Sequence, residues 1–265
     1  MKTLQRTAIG LAIVAVALAG CSSSGGSDTV GATSAPAESE QVLNNYFNAF
    51  ATDEASEMEP MLDNAEADSP AYLYAEHQIN NALADEAANQ SSSASTVAVS
   101  GDEVTMIDES LLPADATEEE RAEVTTTYRE FEYASDGKLV TWTAEPGGSL
   151  EGRVLAQDGI GTSGKVTIKA KTSYVTNAGD LIVTYDVRNK SKDQAMVTPK
   201  GYVNADKRQV QIATGTGSLD LAPGSFATEA ASMENGEPGG KMTFTVYFTG
   251  TPTPPVTITV PVSDK

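Results

Sequence analysis

The chain has 265 residues, of which 17 are Lys or Arg, 37 are Asp or Glu and one is His, for a formal net charge of −20. Such acidity argues against nucleic-acid binding, which rests on basic side chains neutralising phosphates. A single cysteine excludes an intrachain disulfide, and a single histidine excludes a His-based triad with a second imidazole or a multi-histidine metal site. Apolar residues at 40% suffice for folded cores, and the length corresponds to one or two domains.

Lys2 and Arg6 precede an apolar run from Ala8 to Ala19, interrupted by Gly10. A membrane-crossing helix needs about 20 apolar residues, so the run reads instead as the core of an export signal. It closes on Leu18-Ala19-Gly20-Cys21. This tetrapeptide resembles the lipobox of bacterial lipoproteins. The resemblance implies cleavage before Cys21, lipid attachment to its thiol and a place on the extracytoplasmic face of the cell membrane. The chemistry suits the residue types, because a thiolate forms the thioether and small residues let the backbone enter a peptidase. Ala17-Leu18-Ala19 offers the alternative of an ordinary signal-peptide cleavage site. Two or three acyl chains anchor stably, whereas one binds only marginally.

Residues 1–20 are expected to leave as the signal peptide. Lys2 and Arg6 go with them, so 15 basic side chains face 37 acidic ones, a net −22. That balance argues against an electrostatic grip on anionic lipid. Residues 21–37 then read as a Ser/Gly-rich tether, whose sixteen residues after Cys21 would span roughly 20–25 Å as a flexible coil.

Ordered structure is expected from Glu38. Val42, Leu43, Tyr46, Phe47 and Phe50 recur at helical spacing. Asp53 is a candidate cap for a second short helix with Met58, Met61 and Leu62, shortened or kinked by Pro60. Ser69-Pro70 reads as an N-cap followed by proline at N1. It opens a third helix from Ala71 to about Ala88, with Tyr72, Ala75, Ile79, Ala82 and Leu83 as its core stripe. After Ser91–Ser93 the period falls to two. Val97/Val99 and Val104/Met106 flank Gly101-Asp102 as a hairpin. An acidic loop with a Thr117/Glu120 capping box follows. Val124 to Tyr133 and Leu139 to Thr143 then pair about Asp136-Gly137. Glu145-Pro146-Gly147-Gly148-Ser149 interrupts every period and divides the chain into 38–145 and 150–265.

Beyond Leu150 no helical pattern survives. Strands are expected at Gly152–Gln157, Lys165–Tyr174, Leu181–Asn189, Met196–Val203, Gln209–Ala213, Lys241–Phe248 and Val256–Pro261. Seven short strands in about 115 residues suggest an antiparallel sandwich. The fold class expected is therefore α+β followed by all-β.

Two resemblances refine that expectation. Leu181 to Ser191, Leu219-Asp220-Leu221-Ala222-Pro223-Gly224 and Lys241 to Phe248 resemble the Ig-like domains of secreted and lipid-anchored proteins of Gram-positive bacteria, actinobacterial ones among them. The six-residue segment matches the turn before the penultimate strand, and Lys241–Phe248 that strand. Such domains carry no established catalytic residues. Tyr46-Phe47-Asn48-Ala49-Phe50 with Thr52-Asp53 is similar to the opening helix of NTF2-like domains, a cone of helices and curved antiparallel sheet around an apolar pocket. That resemblance transfers no catalytic position.

Candidate sites are few. His77 lies about 140° around the third helix from Tyr72, which places it on the solvent face. An enzymatic role would pair it with Asp63 or Glu76, and Glu76 does not share its face. The acidic groups Asp63/Glu66/Asp68, Asp85/Glu86 and Glu118–Glu120 lack the alternating ligands and glycine of a calcium loop. Gly159 to Lys165 has the wrong spacing for a phosphate loop and reads as a turn. Tyr72, Tyr128 and Trp142 are the candidate ligand-binding residues, lining a pocket in the first domain or packing in its core. No catalytic residue, metal ligand or cofactor is expected. The expected function is a non-catalytic binding or adaptor module at the envelope, partnered by the membrane through its lipid and by an envelope protein or small apolar ligand. A small-molecule enzyme or ligand carrier using the N-terminal pocket, and a structural spacer, are the alternatives.

Overall fold

A computed structural model describes residues 36–88, 95–113, 115–215, 219–250 and 254–265; Cys21, the lipobox and the tether up to residue 35 lie outside the described residues. The first helix, α1 (Pro36–Phe50), starts two residues before the expected point and buries Leu43, Tyr46 and Phe47. Their i, i+3, i+4 spacing forms one apolar stripe. The expected second helix is instead a 3₁₀ turn at Ala55–Glu57 and the single-turn α2 (Pro60–Asp63). Proline opens α2 because its missing N–H would be unpaired there anyway. Asp53 is not the cap; Glu54 precedes the 3₁₀ turn without a side-chain bond.

Helix α3 (Pro70–Ala87) begins as its sequence suggests, with Ser69 Oγ accepting from the Tyr72 amide at 3.2 Å. Its buried set is not the expected stripe. Ala71, Tyr74, Ala75, His77, Asn80, Ala82 and Ala84 are buried, whereas Tyr72 and Ile79 are half-buried and Leu83 is 39% exposed. The reason is that α3 is covered on two sides, so a single-stripe reading fails. The capping box of α4 (Glu118–Glu123) is present: Glu120 N–H donates to Thr117 Oγ1, and Thr117 N–H donates to Glu120 Oε2.

Five antiparallel strands form the first sheet in chain order: β1 (Thr96–Ser100), β2 (Glu103–Ile107), β3 (Thr125–Tyr133), β4 (Leu139–Glu145) and β5 (Gly148–Ser149). The Pro/Gly segment expected as a boundary turns at a cis Glu145–Pro146 bond and returns as β5 along β4. The helices and this sheet enclose Tyr46, Phe47, Met58, Met61, Tyr74, Tyr128, Leu139 and Trp142.

The remaining strands are β6 (Val154–Ala156), β7 (Ile160–Ser163), β8 (Val166–Val175), β9 (Leu181–Asn189), β10 (Ala195–Val203), β11 (Gln209–Val210), β12 (Ile212–Gly215), β13 (Leu219–Leu221), β14 (Phe226–Met233), β15 (Lys241–Phe248) and β16 (Val256–Pro261). They form two antiparallel sheets, β12-β14-β9-β8-β6 with β7 beside β8, and β11-β10-β15-β16 with β13 beside β10. Leu181, Val183, Tyr185 and Val187 on one sheet and Met242, Phe244, Val246, Ile258 and Val260 on the other fill the space between them. This is an antiparallel β-sandwich, with inward residues alternating along each strand.

Three expectations change here. The stretch Gln209–Ala213 is not one strand, since β11 pairs with β10 in one sheet and β12 with β14 in the other. The expected turn at Gly159–Lys165 contains strand β7; Gly159 just before it and Gly161 within it meet the backbone of β16. A Cβ on Gly159 would lie 1.9 Å from the Pro261 carbonyl oxygen, and one on Gly161 2.5 Å from that of Thr259. Finally, Leu221-Ala222-Pro223-Gly224 leads into β14, a strand not expected at all, rather than into Lys241–Phe248. Strand β14 reads Phe-Ala-Thr-Glu-Ala-Ala-Ser-Met, poor in β-formers. Pairing with β9, from Phe226↔Arg188 to Met233↔Leu181, holds it, and α3 packs across it. Residues Ala35–Lys265 thereby make one compact unit.

Candidate functional site

Helix α3 lies between the aromatic core and the outer surface of the β14-β9-β8-β6 sheet. His77, expected on the solvent face, is 1% exposed there. The angle from Tyr72 is right, but the far side of the helix meets a second layer of protein instead of water. Its Nδ1 lies 2.9 Å from Thr172 Oγ1, and Thr172 Oγ1 lies 2.6 Å from Thr184 Oγ1. Thr184 in turn reaches the Thr172 carbonyl oxygen at 3.5 Å. A chain running Nδ1–H to Thr172, Thr172 to Thr184 and Thr184 to that carbonyl satisfies every hydroxyl with one tautomer. Burial lowers the His77 pKa to about 3, so the ring is neutral near pH 7. Hydroxyl beside imidazole is the pairing of a nucleophile and its base. Here both members are sealed, at 1% and 2% exposure, and the ring bonds to Thr172 rather than to Asp63 or Glu76.

Beside His77 a cavity of about 70 Å³ is lined by Tyr74, Tyr128, Trp142, Tyr174, Arg153 and Asn177, among others. Tyr128 and Trp142 thus meet at one cavity; Tyr72 is half-buried near the start of α3 and is not in the lining. The rings pack edge to face, Tyr74 against Trp142 at 5.3 Å and against Tyr174 at 5.1 Å between centroids. Burial raises the pKa of Tyr74 and Tyr128, so both phenols stay protonated. Arg153 closes the cavity. Its Nε and Nη2 donate to the Val175 carbonyl at 2.9 and 2.7 Å, Nη1 to the Gly147 carbonyl at 2.9 Å, and Nη2 to Asn177 Oδ1 at 2.7 Å. Its guanidinium also stands 5.2 Å from the Tyr174 ring centroid. Gly147, at φ 140, is required by this approach, because a Cβ there would lie 2.1 Å from Asn177 Oδ1. Such a space admits a small cluster of waters. Its polar groups tie the first sheet to the sandwich and leave no room for a substrate.

Two larger concavities are open to solvent. One, of about 520 Å³, is lined by Glu118, Arg121, Thr125, Thr127, Glu145 and Pro146. Two of its charges are paired, Arg121 with Glu109 at 3.4 Å and Glu145 with Arg129 at 2.9 Å. The other, about 490 Å³, crosses the outer face of the β11-β10-β15 sheet and is lined by Lys200, Gly201, Val203, Gln209, Gln211 and Thr243 among others. A β-bulge makes it: Pro199 pairs with Phe244 and Gly201 with Thr243, so Lys200 is the extra residue. A Cβ on Gly201 would meet nothing within 4 Å, so glycine leaves the floor open. Among the described residues no carboxylate lies within ion-pair distance of Lys200 or Lys241. The carboxylates of the adjoining turns, Asp206 and Glu237, are held by Arg208 at 3.9 and 3.4 Å.

The same face carries rows of hydroxyls. Register aligns Thr198, Thr245 and Thr257 in one row and Thr243 with Thr259 in the next. Phe244, Val246 and Ile258 point the other way, into the core. Sequence reading missed this groove because a bulge leaves no local mark. The alternations Thr243/Thr245 and Thr257/Thr259 were the available signal.

No family model matches the chain, and no curated protein matches it. Among solved structures it is similar to the GAE domain of yeast GGA1, with 18% identity over 40% of this chain and 99% of that one, at a TM-score of 0.26. A score that low carries no argument, and the sandwich rests on its own strand pairing.

Proposed function

We propose that the chain is a non-catalytic binding module held at the extracytoplasmic membrane face by lipid on Cys21. In this reading an NTF2-like α+β part and an Ig-like sandwich, fused through α3, form one body on a Ser/Gly-rich tether. The single observation that carries it is the groove around Gly201, open to solvent and flanked by Lys200, which has no ion-pair partner among the described residues. The burial of His77 supports the same reading, since the one imidazole is already engaged with Thr172. An enzyme using the N-terminal cavity is disfavoured by the size of that cavity.

The test is co-sedimentation of a soluble Cys21→Ser chain with purified envelope fragments of the cell that makes the protein. Saturable co-sedimentation is expected. Its absence would leave the structural-spacer reading in place of this one.

A further inference from the structure

We infer that the groove on the β11-β10-β15 face takes an anionic polysaccharide, an inference that rests on reading the chain as an envelope-binding module. Charge is the first argument. In a chain of net charge −20, the groove holds the ammonium of Lys200, and Lys241 lies across from Val203 on the neighbouring strand. Neither has an ion-pair partner among the described residues. Arg208 pairs with both Asp206 and Glu237, the acids of the adjoining turns, and offsets part of their charge. An anionic ligand is therefore drawn here and repelled by most of the remaining surface.

Donor and acceptor chemistry is the second argument. Gln209 and Gln211 bring two amides to the groove, each able to give and accept, and Thr243 brings a hydroxyl. The threonine rows continue from the groove over β15 and β16, with their hydroxyls and methyl groups set at the strand spacing of about 4.8 Å. Sugar rings offer the matching alternation of hydroxyls and C–H faces, and a polymer can engage groove and rows together. An anionic peptide would supply the charge but would leave the hydroxyl rows without equivalent partners.

Gly201 makes the inference testable, because the space above it is empty. A Gly201→Phe ring fills the groove without entering the core. The probes are polygalacturonate as anionic glycan, dextran as neutral glycan and poly-L-glutamate as anionic non-glycan, each titrated into the full Cys21→Ser chain. Polygalacturonate is expected to bind, to bind at least tenfold tighter than the other two, and to weaken as salt rises. Gly201→Phe and Lys200→Glu are each expected to cost at least tenfold while the melting temperature stays within a few degrees. Glu118→Gln, in the other concavity, should change nothing. Equal binding of poly-L-glutamate, failure of polygalacturonate to bind, or binding indifferent to Gly201→Phe would overturn the inference. If the soluble chain still co-sediments with envelope fragments in those cases, the binding-module reading stands; the ligand class falls in the first two, and the groove as the binding site falls in the third.

Discussion

His77 Nδ1 and Thr172 Oγ1 are 2.9 Å apart although 95 positions separate them in the chain. The bond joins α3 to the sandwich, so the only imidazole works as a fastener between layers. His77→Ala is expected to destabilise by about 2–4 kcal/mol, the range for emptying a packed site and leaving a buried hydroxyl unpaired. There is also a pH signature. An unfolded histidine titrates near 6.5, whereas burial holds His77 at about 3. Below pH 6.5 the unfolded chain binds a proton that the folded one refuses. The stability from the neutral buried ring is complete above that pH and is lost as pH falls toward 3. His77→Gln should therefore flatten the fall in stability between pH 6 and 4 by about 1.4 kcal/mol per pH unit. Denaturant melts of both proteins across that interval measure it, and parallel slopes would contradict the assignment.

The burial of His77 also marks where sequence reading stops. Helical periodicity reports one apolar face, and α1 has one, so Leu43, Tyr46 and Phe47 were legible. Helix α3 has two, the second built from Ala, His and Asn against Thr172 and Thr184. Polar residues on a helix read as solvent-facing unless the partner layer is known. Strand β14 failed for the same reason: α3 packs across it, with small Ala230 buried opposite Thr184, while Ala227 and Ala231 face the sandwich core, and none of these alanines carries strand propensity. Strands β9, β15 and β16 were legible because a β-branched alternation faces one core.

Arg153 donates to the backbone carbonyls of Gly147 and Val175 and to the Asn177 side chain, and covers Tyr174, so its loss should loosen the seam as a unit. Arg153→Met keeps much of the stem but removes those bonds. The expected loss is about 2–4 kcal/mol at roughly 0.5–1.5 kcal/mol per hydrogen bond. Arg153→Lys should recover little of it, because an ammonium cannot reproduce the planar fork. Chemical denaturation with Trp142 fluorescence reports this directly, as that ring lines the same cavity. A midpoint unchanged in Arg153→Met would mean the seam is held by ring packing alone.

The proposed anchor rests on Cys21. In the producing cell, wild type should incorporate an alkyne-tagged palmitate and fractionate with membranes. Cys21→Ser should lose the label and appear in the soluble extracytoplasmic fraction. Label persisting on the serine variant would remove the lipid from the proposal.

Glu229 gives the opposite pH signature from His77. It is 3% exposed, stands opposite Tyr185 in the β9–β14 register, and its pKa is raised to about 7, first by burial and then by the charge of Asp85. Burial raises Asp85 as well, so deprotonating Glu229 sets two disfavoured carboxylates against each other. An unfolded glutamate titrates near 4.3. Between that value and about 7 the folded chain holds a proton that the unfolded one has lost. Stability from the protonated acid is complete below about 4.3 and declines as pH rises through 7. Glu229→Gln keeps the shape and stays neutral, so it should melt at nearly the wild-type temperature at pH 4 and several degrees above it at pH 8. Asp85→Asn should give a smaller gain in the same direction. Thermal melts of the three proteins at pH 4, 6 and 8 settle it, and a Glu229→Gln difference independent of pH would show that the carboxyl does not titrate in this range.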